Sequence, residues 1–222
     1  AEDGTIHGTT ALGGSTMDLA ANIEIDGSAF TSTGTMTVKA EDLAESSFIS
    51  VAGDINVGTV ANIIDSTIWA KAGAVTIADV TEELDGSTVS AATNLTVSAE
   101  WVVGSSLIAE NGLLDVDATT INGSELLSKN GDIEVDAVRI ISSSITALDP
   151  DVAGVGIVNV EAEEIVGSDI FAENDILLDV YEIENSTLTA YNTIDLTAEY
   201  VDNVNVFANK GITAEITEEL YG

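Results

Sequence analysis

Carboxylates are the side chains most available for chemistry in this 222-residue chain. Asp and Glu number 39 against 5 Lys and Arg, for a formal charge of −34. Paired carboxylates can hydrolyse a glycosidic bond when their separation suits an acid and its partner. With so many acids a suitable pair arises by chance, so the pairing alone points nowhere. Reading it as a polysaccharide hydrolase would need carboxylates gathered with aromatics in one groove. Acidic polysaccharides would require cations to hold their own carboxylates, and Lys39, Lys71, Lys129, Lys210 and Arg139 are scattered along the chain. His7 is the single histidine and is expected at the surface. The absence of cysteine removes disulfides and thiolate metal sites. Asp115-Val116-Asp117 and Asp149-Pro150-Asp151 are candidates for weak calcium binding, with a solvated acidic face as the alternative. No glycine-rich phosphate loop occurs. Three glycosylation sequons begin at Asn94, Asn122 and Asn185. The expectation is a non-enzyme with no cofactor, calcium or other cations serving at most as weak counter-ions.

The same charge repels nucleic acid and acidic membrane surfaces. Hydrophobic residues nevertheless make up 45% of the chain, too many for a disordered acidic tail. No run of about eighteen apolar residues is present, so no membrane insertion is expected. The first residues, Ala-Glu-Asp-Gly, match what removal of an export signal leaves, which gives an extracellular or cell-surface expectation. Abundant Thr, Ser, Val, Ile and Gly favour strands, and a single proline, Pro150, leaves long ladders uninterrupted.

What positions these side chains is a repeat. Val103–Ile121 and Asn122–Ile140 are consecutive nineteen-residue stretches with Ser, Leu, Asn-Gly and Val at matching offsets. Taking Ser105 and Ser124 as anchors, the pattern recurs at Thr9, Ser28, Ser46, Ser66, Ser87, Ser143, Ser168, Ser186 and Val204. Spacings run from 18 to 21 residues except one of 25, whose surplus falls in a loop at 148–156. Three residues before each anchor the residue is always Ile, Leu or Val; two after it is always apolar; four after it is Gly, Ala or Ser. Immediately before the anchor, Gly, Asn, Asp or Ser fills ten of eleven places, as a left-handed corner demands. A second alternating run follows in each unit, as in Leu95-Val97-Ala99 and Leu114-Val116-Ala118.

Asn-Gly between alternating runs ordinarily marks an antiparallel hairpin. Near-identical units of strand, corner, strand, corner fit better as coils stacked in parallel, like residue upon like. The reading is an all-β, parallel β-solenoid (β-helix) of about eleven 18–21-residue coils, two- or three-faced, in one domain spanning 1–222. A lone coil buries too few apolar side chains to offset the entropy of ordering it, so only a stack is stable.

A solenoid ends in bare strand edges, which repeat proteins ordinarily cap. The pattern enters in phase at Ile6 and is still in phase at Leu220, with no helix, proline or lysine-rich segment to block it. Thr9, Ala11 and Gly13 at one end, with Val204, Val206 and Ala208 at the other, are therefore the candidate axial interface. Three residues after the anchor, Ile49, Trp69, Ile108, Leu127, Phe171 and Phe207 form a candidate lateral apolar stripe, while the second run faces outward with polar and acidic residues. Glu100, Glu163 and Glu199 recur at matching places, where stacked like charges would oppose assembly unless screened.

Over residues 6 to 220 the repeat and composition resemble two groups of extracellular proteins. One is the haemagglutinin-type β-solenoid of secreted bacterial adhesins; the other is the acidic, strand-rich proteins of the tubular, amyloid-like sheaths of some methanogenic archaea. The resemblance implies an extracellular solenoid. Its partner would be itself, in a filament, tube or sheath grown head to tail, or, as an adhesin module, a host or carbohydrate surface.

Overall fold

The computed structural model describes residues 4–148 and 155–221. Asp149, Asp151 and most of the 148–156 loop lie outside the described residues. Among those described, all regular structure is strand, and no helix is long and apolar enough to cross a membrane. Every registered strand pair is parallel. The chain is a β-solenoid of about eleven turns, as the column pattern predicts, and the hairpin alternative is excluded.

The coil anchored at Ser105 shows the unit. A short strand, Ser106–Ala109, is followed by a turn and a long strand, Leu114–Asn122; Gly123 then turns the corner to Ser124. Short strands stack into an 11-stranded sheet and long strands into a 14-stranded one. Registers join like columns: Leu107 to Leu126, Leu114 to Ile133, Ile121 to Ile140. Midway along each long strand the in–out alternation slips. Ala99 is buried, Glu100 and Trp101 both face out, and Val102 is buried again. The long sheet bends there, giving a three-sided cross-section. In the first two coils the bend is a break, with Thr16–Ala20 separate from Glu24–Asp26 and Thr35–Lys39 separate from Asp42–Ala44.

Eleven corners need a left-handed residue, and all eleven have one. Gly8, Gly27, Gly86, Gly104, Gly123 and Gly167 take φ between 55° and 60°, and Glu45, Asp65, Ser142, Asn185 and Asn203 take φ between 46° and 50°. Glu45 is the exception foreseen from composition, and it adopts the same backbone at a steric cost of about 1 kcal/mol. The Asn-Gly pairs serve the other corner, between short and long strand. There Asn130 Nδ2 donates to Asn111 Oδ1 at 3.1 Å and to the Glu110 carbonyl at 2.9 Å, one coil below.

The anchors explain why serine recurs. Each hydroxyl accepts the backbone N–H of the preceding coil's anchor, in an unbroken run from Thr9 to Ser186 at 3.0–3.2 Å. It donates to a carbonyl at the same corner, as Ser143 does to Ile141 at 2.8 Å. These serines are at most 3% exposed, so one hydroxyl pairs a buried anchor N–H and adds a second donor to a corner carbonyl. Val204 has no hydroxyl, and the run stops there. Ser105→Ala would strand the Ser87 N–H, which donates to it at 3.1 Å. Its expected cost is about 1–3 kcal/mol, read as a lower urea midpoint.

Candidate functional site

The two ends of the stack differ from its middle. Ile194 is fully buried, whereas Ile212, its partner in the final layer, is 51% exposed. Val204, Val206 and Ala208 are likewise only partly buried, as are Thr9, Ala11 and Gly13 in the first layer. Ile6, Met17 and Leu19 complete that first open layer, and Ile216 joins the last. Sequence columns thus place the six axial residues where expected, on the outermost layers, with no covering segment among the described residues.

Alternation of backbone hydrogen bonding tells which groups face outward. The first residue of each short strand donates its N–H to the anchor carbonyl of the coil before it, as Ser106 does to Ser87 and Asn205 to Ser186, both at 2.9 Å. By the same parallel pattern, Thr10 and Leu12 in the first coil direct their N–H groups away from the rod.

The lateral stripe is real as a column but interrupted. Register places Leu12, Thr31, Ile49, Trp69, Ser90, Ile108, Leu127, Thr146, Phe171, Thr189 and Phe207 in one row on the short-strand sheet. Ile49 adjoins Trp69 and Ile108 adjoins Leu127, whereas Thr189 separates Phe171 from Phe207. Stacking half-buries Ile49, Ile108, Leu127 and Phe171, leaving Trp69 and Phe207 exposed. Lys71 Nζ lies 4.4 Å from the Trp69 ring centroid, and Tyr191 meets Phe171 edge-on at 6.0 Å.

On the long-strand sheet, Asp117, Asp136, Glu161 and Asp179 stack on four successive coils, beside Asp115 on Glu134. Among the described residues, no three His, Cys, Asp or Glu side chains converge to hold a metal ion. Glu100, Glu163 and Glu199 do share a column, but none of the three is a register neighbour of another. The registers on either side place Val138 and Tyr181 next to Glu163, and Thr119 next to Glu100. Like charges are register neighbours along the Asp117–Asp179 row and again at Glu164 and Glu182. Ion pairs relieve a little of the repulsion: Arg139 Nε to Glu164 Oε2 at 2.6 Å and Lys129 Nζ to Glu110 Oε1 at 2.8 Å.

Exposed aromatics on this sheet are absent from the period-two reading. Trp101, 49% exposed, lines a groove with Asn62, Glu82, Glu83 and Glu100. Tyr181 packs against Tyr200 with centroids 5.4 Å apart. The groove lies beside the register shifts between Ile77 and Glu83, where the eleven-residue strand Val75–Asp85 accommodates extra residues. Of the sequon asparagines, Asn94, Asn122 and Asn185 are all exposed, Asn185 at a left-handed corner.

Among the described residues, the Asp175 and Glu182 carboxyls titrate away from the ordinary range. Burial tends to raise Asp175, but hydrogen bonds from the Thr193 hydroxyl, its N–H and the Asn192 amide outweigh it, with Lys210 adding to the fall. Asp175 Oδ1 accepts these three at 2.6, 2.9 and 2.7 Å, clamping two coils together. Glu182 is pushed up, first by burial, then by its hydrogen bond with Glu184 and the charges of Glu184 and Glu164. A depressed acid stabilises the fold above its unfolded value and loses that as pH falls through its folded value. A raised acid favours the fold below its unfolded value, and this is lost as pH rises through the folded one. Glu182→Gln should therefore raise the melting temperature by about 1 °C at neutral pH and leave it unchanged in acid, seen in parallel thermal melts.

The chain matches no protein-family model, no curated protein and no solved structure.

Proposed function

We propose that the chain is a structural subunit of an extracellular filament, tube or sheath, joining head to tail through its open ends. The observation that carries this reading is the pair of unfinished layers, typified by Ile212 half in water directly above a buried Ile194. Each end offers unpaired backbone groups and an apolar layer matching those inside the rod, and a second copy supplies the complement of both. A contact between unlike ends does not close on itself, so it propagates. The partly exposed apolar row, with Trp69 and Phe207 foremost, would join filaments side by side.

Charge sets the conditions. At −34 per subunit, growth requires screening by salt, divalent cations or acid. Negative-stain microscopy of concentrated protein, in low salt with chelator and in added salt or calcium, tests the reading. Expected are fibres in the screened samples, with an axial rise of about 50 Å per subunit and a layer spacing of about 4.8 Å. Single rods under every condition would refute it.

An adhesin module binding surface carbohydrate is the second reading, and the Trp101 groove favours it. An exposed indole face beside Asn62 and three carboxylates is suited to stacking against a neutral sugar and hydrogen-bonding its hydroxyls. The same grouping of carboxylates with an aromatic is what a hydrolase would need. Quenching of tryptophan fluorescence by neutral oligosaccharides, abolished in Trp101→Ala, would favour this reading over assembly.

A further inference from the structure

Strand counts at the two ends carry a consequence for the junction, given the head-to-tail reading. Three rows of strands run the length of the rod. The short strands make eleven, from Thr10–Gly13 to Asn205–Ala208. The strands opening with the second apolar run also make eleven, from Thr16–Ala20 to the first part of Gly211–Tyr221. The row just before the anchors makes twelve, because it holds both Ile6–His7 and the last residues of Gly211–Tyr221.

A second copy continuing the winding sets its Thr10–Gly13 on Asn205–Ala208 of the first, and its Thr16–Ala20 on the start of Gly211–Tyr221. In every coil the pre-anchor strand lies in the layer of the short strand that follows it. The incoming Ile6–His7 must then occupy the layer directly above Tyr200, Val201 and Asp202 in that row. That layer is already filled, since Glu219, Leu220 and Tyr221 pair there with Tyr200, Val201 and Asp202. Two strands meet one position.

We infer that this overlap is a brake on assembly: at each junction either Ile6–His7 or the segment ending at Tyr221 leaves its sheet before the copies join. Ile6–His7 is the one that yields. It holds only two registered pairs, Ile6 with Ile25 and His7 with Asp26, the partly buried Ile6 side chain, and a contact from His7 Nδ1 to Asp26 Oδ2 at 2.6 Å with the imidazole largely in water. The opposing segment continues an eleven-residue strand. Short terminal strands open at small cost.

Growth rates of four proteins test this: the 222-residue chain, a variant lacking residues 1–7, a variant ending at Thr217, and one with both deletions. Circular dichroism and thermal melting establish that each is folded. Either single deletion removes the overlap and should speed elongation on the order of tenfold, while the double deletion leaves the position empty and forfeits the gain. His7→Ala, which keeps the chain whole, should give a smaller acceleration in the same direction. If the parent chain polymerises but neither single deletion nor His7→Ala is faster, or the double deletion is fastest, the brake is wrong and head-to-tail growth stands. If none of the proteins polymerises, both fall.

Discussion

Leu12→Pro is expected to leave the rod folded and to stop its growth. Leu12 is 83% exposed and its side chain points away from the core, so replacing it removes almost no packing. It sits on the outermost short strand, where Ala11 before it already has the extended backbone that a following proline requires. Its N–H is one of those directed away from the rod, and a proline there deletes a donor that the parent chain does not use internally. A second copy, however, needs that donor for its last short strand, Asn205–Ala208, and would meet the pyrrolidine ring in its place. Losing the bond and adding the clash amounts to about 3 kcal/mol per junction, or about a hundredfold in the concentration at which fibres form. Pelleting assays over a concentration series measure it directly. Leu12→Ala is the control, because it trims the same side chain but keeps the N–H, and it should polymerise like the parent. Equal thresholds for Leu12→Pro and the parent would mean that the ends do not meet through this edge.

How much of this was legible in the residues depends on what stacks upon what. Serine at the anchor is demanded by geometry: a small hydroxyl must accept from the coil before and donate at its own corner, and the spacing of Ser28 through Ser186 exposes that demand. The apolar columns are equally plain, since Leu107, Leu126 and Ile145 fill one continuous seam. Other features escape a period-two reading for physical reasons. Glu100 and Trp101 are consecutive outward residues because the long strand bends between them and Val102, so strict alternation assigns one of them to the interior. The Trp101 groove was missed for that reason, although a large aromatic next to a predicted acidic position was a usable signal. Acidic residues at equal offsets, such as Glu163 and Glu199, turn out to be two layers apart with Tyr181 between them, because offset counts columns and not neighbours. Glu45 shows the reverse: composition places no left-handed preference there, yet the stack imposes one. That the outermost described layers carry the same columns as the interior follows from the phase of Ile6 and Leu220. The overlap between their strands requires the topology, since it arises from which strand of a coil lies in which layer.

Position along the rod should decide the cost of a core deletion. Leu107→Ala removes a fully buried side chain in a central coil, between Val89 below and Leu126 above. Those layers are held at fixed spacing by ladder hydrogen bonds on three sides, so they cannot close over the vacated volume. The expected loss is therefore in the upper part of the range for such substitutions, about 4 kcal/mol. Val206→Ala removes a similar group from the same column at the final layer, where one side already meets solvent. It should cost about 1 kcal/mol. Because each coil touches only its neighbours, the central lesion also weakens the coupling between the two halves of the stack. Urea unfolding of Leu107→Ala should show a broadened transition as well as a lower midpoint, while Val206→Ala keeps the parent's slope. In a globule with one shared core, the two substitutions would lower the midpoint without changing the breadth. Equal slopes for both would show that the coils do not act as a one-dimensional array, and the open end layers would then lose their claim to be interchangeable with the layers inside.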